Sequence, residues 1–307
     1  PVVSVGNLTV GGTGKTPMAI RVAGMLRDRG MRPAILSRGY GGKSAAGVLV
    51  VSDGRQTLAG PDEAGDEPVL IARRLPGVPV LAGAKRAVTG RYARENLGAD
   101  VLVLDDGFQH RWIRRDLDIV LLDSRAPLGN GFLLPRGPLR EPPEALGRAG
   151  AVVFTRSEDT APPSDKGLAA ILRGRPVLRT RIRPVKLVAA DGTEMPLSRL
   201  AGKRVFAFAG IARPDSFRQT LEGLGADIAG FRALPDHHRY GAEDVRRIER
   251  AFDETGAEIL VTTEKDGVKL SGLAAAPQRV FCLAIETEIL EGAEALETAL
   301  CVCLGAR

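Results

Sequence analysis

Six residues in the stretch NLTVGGTGKT (residues 7–16), which follows the apolar run PVVSV, could together hold a phosphate. Glycines reach backbone conformations closed to other residues, so their N–H groups can converge on one anion. A Lys suits the β- and γ-oxygens of a nucleotide, and a Ser or Thr hydroxyl suits Mg2+. Gly11, Gly12, Thr13, Gly14, Lys15 and Thr16 offer these groups in order, between an expected strand and an expected helix. The strict pattern begins with Gly, where this chain has Thr9. With that one departure, the stretch reads as a nucleotide phosphate site rather than a tight turn with an incidental Lys and Thr.

Such a site needs a second acidic group for the metal, at the end of a neighbouring strand. VLVLDDGFQH (101–110) supplies Asp105 and Asp106 directly after an apolar run. SRGYGG (37–42) is a flexible strand-end loop suited to admitting a substrate. GDEP (65–68) puts two carboxylates before a helix, and Asp66 reads equally as a helix N-cap or a catalytic base. PRGPLRE (135–141) gathers Arg136, Arg140 and Glu141 in a loop rich in Pro and Gly. The histidines are His110, His237 and His238; LPDHHRY (234–240) reads first as a loop presenting a histidine to a cleft, ahead of surface decoration and of a metal pair that no Cys or third His supports. TTEKD (262–266) approaches the guanine-reading Asn-Lys-x-Asp signature but lacks its Asn and its spacing.

These residues need elements to carry them. Short apolar runs at Val2–Val5, Pro33–Ser37, Val78–Leu81, Val101–Leu104, Ile119–Leu122 and Val152–Thr155 alternate with helical spacing. Met18, Val22, Met25 and Leu26 mark one helix, a second starts near Pro68 and a third spans about 83–96. Nearly continuous apolar strands separated by helices imply a parallel sheet covered on both faces. From Pro176 the pattern changes: VLRTRIRPVKLVAADG reads as two extended segments broken by Pro184, a two-stranded connector. A smaller α/β domain follows. The expected division is 1–175, a linker at 176–198, and 199–307.

The 307 residues are 44% hydrophobic and 26% charged, with a net charge of +6, which describes a soluble globular protein with polyanionic or anionic-surface partners. No aromatic-basic ladder or zinc-finger spacing points to nucleic acid. Cys282, Cys301 and Cys303 form neither a disulfide framework nor a metal site, which suits a reducing cytoplasm. No apolar run reaches the ~20 residues that span a bilayer, and no signal peptide is visible.

In order along the chain, VGNLTVGGTGKTP, SRGYGG, GDEP, DDGFQHR, PRGPLRE, PDHHRY and TTEKDGVK resemble tetraacyldisaccharide 4'-kinase, the lipid A 4'-kinase of Gram-negative bacteria. The resemblance runs from the first residues to about residue 270. It implies a P-loop NTPase-like α/β domain joined by a two-stranded linker to a smaller α/β domain, with the active site in the cleft. It implies transfer of the γ-phosphoryl of ATP, with Mg2+, to the 4'-hydroxyl of an acylated glucosamine disaccharide 1-phosphate. By motif position, Lys15 and Thr16 match the P-loop pair, Asp66 the catalytic base and His237 the histidine that assists it. Asp105, Asp106 and Glu141 match the acidic metal-organising residues, and Tyr40 a cleft residue near nucleotide or sugar. Arg136 and Arg140 are candidates for a second phosphate or for transition-state charge. The family works at the cytoplasmic face of the inner membrane and carries an N-terminal apolar segment before the first strand, which this sequence does not include; no obligate protein partner is evident. The second departure is Ala212 in GIARPDSF, where a Gly is expected. The competing reading is a P-loop GTPase or ATPase of metallochaperone or signalling type, against which the missing guanine signature stands.

Overall fold

The computed structural model describes residues 1–39, 47–157, 166–271, 273 and 279–305. The chain forms two compact units, Pro1–Ile182 with Thr287–Arg307, and Arg183–Glu286. In the first unit, β1 (Val2–Asn7) leads to α1 (Lys15–Asp28), β2 (Pro33–Ser37) and β3 (Leu49–Ser52). Next come α2 (Pro61–Ala64), α3 (Asp66–Arg74), β4 (Val80–Ala82), α4 (Arg86–Leu97) and β5 (Val101–Asp105). β6 (Leu117–Asp123), β7 (Ala151–Thr155) and α5 (Lys166–Leu172) complete its first pass. β8 (Val177–Ala189) carries the chain out, to β9 (Glu194–Met195), β10 (Arg204–Ala209), α6 (Pro214–Gly223) and β11 (Asp227–Ala233). α7 (Ala242–Thr255), β12 (Ile259–Thr263) and α8 (Glu264–Leu270) follow, then β13 (Val280–Glu291) returns the chain to α9 (Ala293–Cys303).

The strands of the first unit lie in the order β8-β7-β6-β1-β5-β2-β4-β3. All pairs in this series are parallel except β3 with β4. β2, β6 and β7 are buried along their whole length, as expected where helices cover both faces of a parallel sheet. α1 buries Met18, Ala19, Val22, Ala23, Met25 and Leu26, the face that its helical spacing marked. After β1 the chain moves past the position of β5 to β2, and later places β6 on the other side of β1. β1 is therefore the switch point of the sheet, and the crevice at its carboxyl end is where such folds bind ligands.

In the second unit the order is β11-β10-β12-β13, all parallel. α6 packs Phe217 and Leu221 on one face of this sheet, and α7 packs Val245, Ile248 and Phe252 on the other.

Three expectations need correction. Residues 177–189 form one strand, β8, not two: Pro184 falls between the stretch paired with β7 (Val177–Arg179) and the stretch paired with β9 (Leu187–Val188). The second strand that crosses the unit boundary is β13, a hundred residues further on. Nor does everything after 199 belong to the second unit, because α9 buries Leu296 and Leu300 in the first and pairs Glu297 with Arg29 at 3.2 Å. A strand–helix rhythm does not say on which side of a crossing an element lands. β3, a short antiparallel edge, was not among the expected strands.

Gly6 shows how tightly β1 is packed. A Cβ there would lie 2.5 Å from Phe108 Cβ and 2.8 Å from the Phe108 backbone nitrogen. Gly6→Ala should therefore lower stability by about 1–3 kcal/mol through overpacking. An unchanged denaturation midpoint would mean that β1 and the DDGF turn do not approach this closely.

Candidate active site

β1 and β5 run parallel with Val5 opposite Asp105, so the glycine loop after β1 and the acids after β5 emerge at one edge. Gly11 (φ 109°) and Gly14 (φ 83°) adopt left-handed backbone that L side chains resist. A Cβ at Gly11 or Gly12 would meet nothing within 4 Å, so this side of the loop is open. Asn7, the last residue of β1, fastens the loop: its Nδ2 donates to Thr13 Oγ1 at 2.9 Å. Lys15 and Thr16 form the first turn of α1, where exposed N–H groups and the helix dipole favour an anion.

Thr16 Oγ1 donates to Asp105 Oδ2 at 3.5 Å, and the two residues are only 5% and 2% exposed. A hydroxyl and a carboxylate side by side are the oxygen donors that Mg2+ takes from a protein when phosphates and water complete its shell. Among the described residues no group of three or more His, Cys, Asp or Glu gathers closely enough to hold a metal alone. The donor set thus suits a cation that arrives with its nucleotide.

The other acids lie in different surroundings. Asp106 has a left-handed backbone (φ 52°). It accepts from Arg140 Nη1 at 2.6 Å and lies 3.9 Å from Lys15 Nζ. Arg140 Nη1 also donates to Asn7 Oδ1 at 3.1 Å. Gly107 must follow, because a Cβ there would lie 2.6 Å from Leu104 Cβ and 2.7 Å from Ser4 Oγ. Glu141 is clamped by Arg148 Nη2, 2.9 Å from each carboxylate oxygen, and accepts from Gln109 Nε2 at 3.2 Å. The same Gln109 amide donates to the Asn7 carbonyl at 3.1 Å.

Backbone pairing holds the PRGPLRE segment against the glycine loop: Arg140 N–H donates to Leu8 C=O and Val10 N–H to Pro138 C=O, both at 2.8 Å. Leu8, Phe108 and Leu139 enter one buried cluster, so three motifs share a core as well as an edge. Arg136 is not drawn in; its guanidinium stacks on Phe132 at 3.9 Å.

Asp66 is buried at the first position of α3, where its carboxylate accepts from Glu67 N–H at 3.1 Å. The N-cap itself is Gly65 (φ 86°), which removes the N-cap reading of Asp66. Tyr40 lies outside the described residues. His237 is in the second unit, with φ 56° and a side chain 43% exposed, while His238 Nε2 lies 3.2 Å from Asp244 Oδ2. The histidines thus sit in unlike settings. Asp266 of TTEKD is fully buried and bonded to its own unit, so it cannot read a guanine base.

Sequence reasoning missed Asn7, Gln109, Arg148, Arg156 and Arg86. Arg156 donates to Gly12 C=O at 2.6 Å and also pairs with Asp123. Arg86, at the start of α4, is 2% exposed and donates to Gly83 C=O at 2.6 Å. Burial pulls its guanidinium down to about 10, against the opposing charge of Asp105. Asn7 could have been flagged as the polar residue ending an apolar strand before a phosphate loop. An Arg in a helical first turn looks solvated in sequence, so Arg86 gave no signal.

Comparison with known proteins bears on the whole chain. The family model described as tetraacyldisaccharide-1-P 4'-kinase matches residues 1–304. The tetraacyldisaccharide 4'-kinase of Syntrophus aciditrophicus is 54% identical over 299 residues, covering 94% of this chain and 80% of that protein. Its counterpart in Anaeromyxobacter dehalogenans (strain 2CP-C) is 51% identical over 306 residues, covering 98% and 81%. LpxK from Aquifex aeolicus, solved in complex with ATP, superposes with a TM-score of 0.81 at 37% identity, covering 99% of this chain and 88% of that one. With three of its motifs gathered at one sheet edge and this likeness along nearly its full length, the chain belongs to the LpxK family of tetraacyldisaccharide-1-P 4'-kinases.

Proposed function

We propose that this chain transfers the γ-phosphoryl of ATP to the 4'-hydroxyl of an acylated glucosamine disaccharide 1-phosphate, giving the bis-phosphorylated lipid A precursor. Family membership makes it a kinase of this class. The observation that carries the residue assignment is the juxtaposition of Thr16 and Asp105 beside an open glycine loop that ends in Lys15.

Phosphoryl transfer asks for alignment and charge neutralisation more than for covalent chemistry. In this reading the N–H groups of residues 11–14 hold the β-phosphate, and Lys15 offsets charge on the transferring group. At 3.9 Å its contact with Asp106 is weak, which leaves the ammonium available to phosphate. Thr16 and Asp105 would hold Mg2+, which when bound neutralises the β- and γ-oxygens. Asp106 and Glu141, matched to Arg140 and Arg148, shape the loop around that centre. Asp66 takes the proton that the sugar hydroxyl loses as its oxygen meets phosphorus, and His237 assists it.

Radiolabel transfer from ATP to the disaccharide 1-phosphate in detergent micelles tests the assignment. Lys15→Ala should lower kcat at least ~10²-fold, the scale of losing one preorganised electrostatic contact. Asp66→Ala should lower kcat with little change in KM for ATP. Near-normal turnover in Lys15→Ala would remove the phosphate role of the loop, and in Asp66→Ala the base.

The acyl chains need an apolar surface. Val10, Phe132, Leu133 and Leu134 are exposed on paired segments beside the glycine loop, with Arg136 stacked on Phe132. This surface suits acyl chains and, with the basic residues around it, the anionic face of the inner membrane. No helix of the described residues is long and apolar enough to cross a membrane. Leu133→Asp should raise KM for the lipid acceptor severalfold and leave KM for ATP unchanged. An unchanged lipid KM would place the acyl contacts elsewhere.

A further inference from the structure

PDHHRY and TTEKDGVK meet inside the second unit. The strand order there makes β10 a switch point: α6 leads from β10 to β11 on one side, and α7 leads from β11 to β12 on the other. Open α/β sheets bind ligands at the carboxyl ends of such strands. Here the chain's own turn lies at that place, beginning where Leu234 N–H donates to Ala209 C=O at 2.9 Å.

Asp266, in the first turn of α8, is the hub. It is fully buried and accepts from Gly210 N–H at 3.0 Å, Thr263 Oγ1 at 2.7 Å and Lys269 Nζ at 3.1 Å. Lys269 Nζ also donates to Gly210 C=O at 3.4 Å. Gly210 is pressed between this pair and the histidine turn: a Cβ on it would lie 3.0 Å from Asp266 Oδ1, 3.2 Å from His238 Cβ and 3.3 Å from the Pro235 carbonyl oxygen. At the other end of the turn, Tyr240 packs edge-on against His238 at 5.0 Å and against Phe208 at 5.9 Å. Its buried hydroxyl faces Asp266; burial and that negative charge push its pKa up, so it stays protonated.

A buried ion pair is a poor source of net stability, since desolvation offsets most of its attraction. It does fix geometry. What the network fixes is a turn in which His238 is tied to Asp244 while His237, in a left-handed conformation unusual for a non-glycine residue, is displayed to solvent. Such a conformation persists where its surroundings hold it.

We propose that Asp266 and Lys269 are positioning residues that hold the 235–240 turn through Gly210 and thereby fix the displayed conformation of His237 for the transfer reaction. The proposal rests on the reading of His237 as the residue that assists Asp66. Neither Asp266 nor Lys269 needs to touch substrate.

Two substitutions in the intact protein test it, assayed with ATP and the disaccharide 1-phosphate in micelles. Asp266→Asn keeps an acceptor for Gly210 N–H but loses the charge opposite Lys269. Gly210→Ala keeps both charges but adds a methyl group against Asp266 Oδ1 and His238 Cβ, so that the turn must give by a few tenths of an ångström. Each should lower kcat about tenfold or more with KM for ATP unchanged, as small misplacements at a reaction centre do. Neither should lower kcat further in a His237→Ala background. Folded variants with wild-type kcat would overturn the proposal, as would losses that multiply with that of His237→Ala. An impaired His237→Ala beside a normal Gly210→Ala would remove only the positioning role. A fully active His237→Ala would remove the catalytic reading of His237, and the positioning role with it.

Discussion

The parallel pairing of β1 with β5 is the constraint on which the first unit depends. Parallel strands end on the same edge, so Asn7 and Asp105, nearly a hundred residues apart in sequence, deliver the glycine loop and the acid to one place. A slip of one residue would turn Asp105 to the other face and separate it from Thr16. The register is secured by residues with no role in chemistry. Gly6 and Gly107 allow the backbones to close, while Leu8, Phe108 and Leu139 seal the space beneath.

Around that edge, charge is arranged in matched pairs that also do structural work. Arg140 answers Asp106 and holds Asn7, Arg148 answers Glu141 and covers the Phe108 ring at 4.4 Å, and Arg156 answers Asp123 and holds the Gly12 carbonyl. Each arginine ties a carboxylate to a piece of loop or core. Charge-assisted hydrogen bonds of this kind are shorter and stronger than neutral ones, which suits a loop that must meet a polyanion without rearranging. Arg86 carries the same logic into the interior, where its charge is retained beside Asp105 despite burial.

Much of this was legible in sequence, for local reasons. The glycine loop shows itself because all its groups lie within ten residues, and Asp105 because a phosphate loop calls for an acid at the end of a neighbouring strand. The fold class followed from apolar runs alternating with helical spacing. What stayed hidden depends on contacts between distant segments: Asn7 with Thr13 and Arg140, Glu141 with Arg148, and Asp266 with Gly210. Asp66 read as an N-cap as readily as a base because the sequence does not fix the first helical residue, and the helix starts at Asp66 itself, one residue after Gly65. The return of α9 to the first unit was invisible for a similar reason, since its buried Leu296 and Leu300 would suit either sheet.

The proposed assignment of Thr16 and Asp105 to one metal-nucleotide centre is best tested by following the cation itself. Mn2+ in place of Mg2+ can be titrated by electron paramagnetic resonance with ATP present, for the wild-type protein and for Asp105→Asn. The expected result is nucleotide-dependent binding that weakens at least ~10-fold in the variant, the scale on which single groups around a metal act. Equal Mn2+ affinity in a folded Asp105→Asn protein would contradict the placement of the metal at the β1–β5 edge.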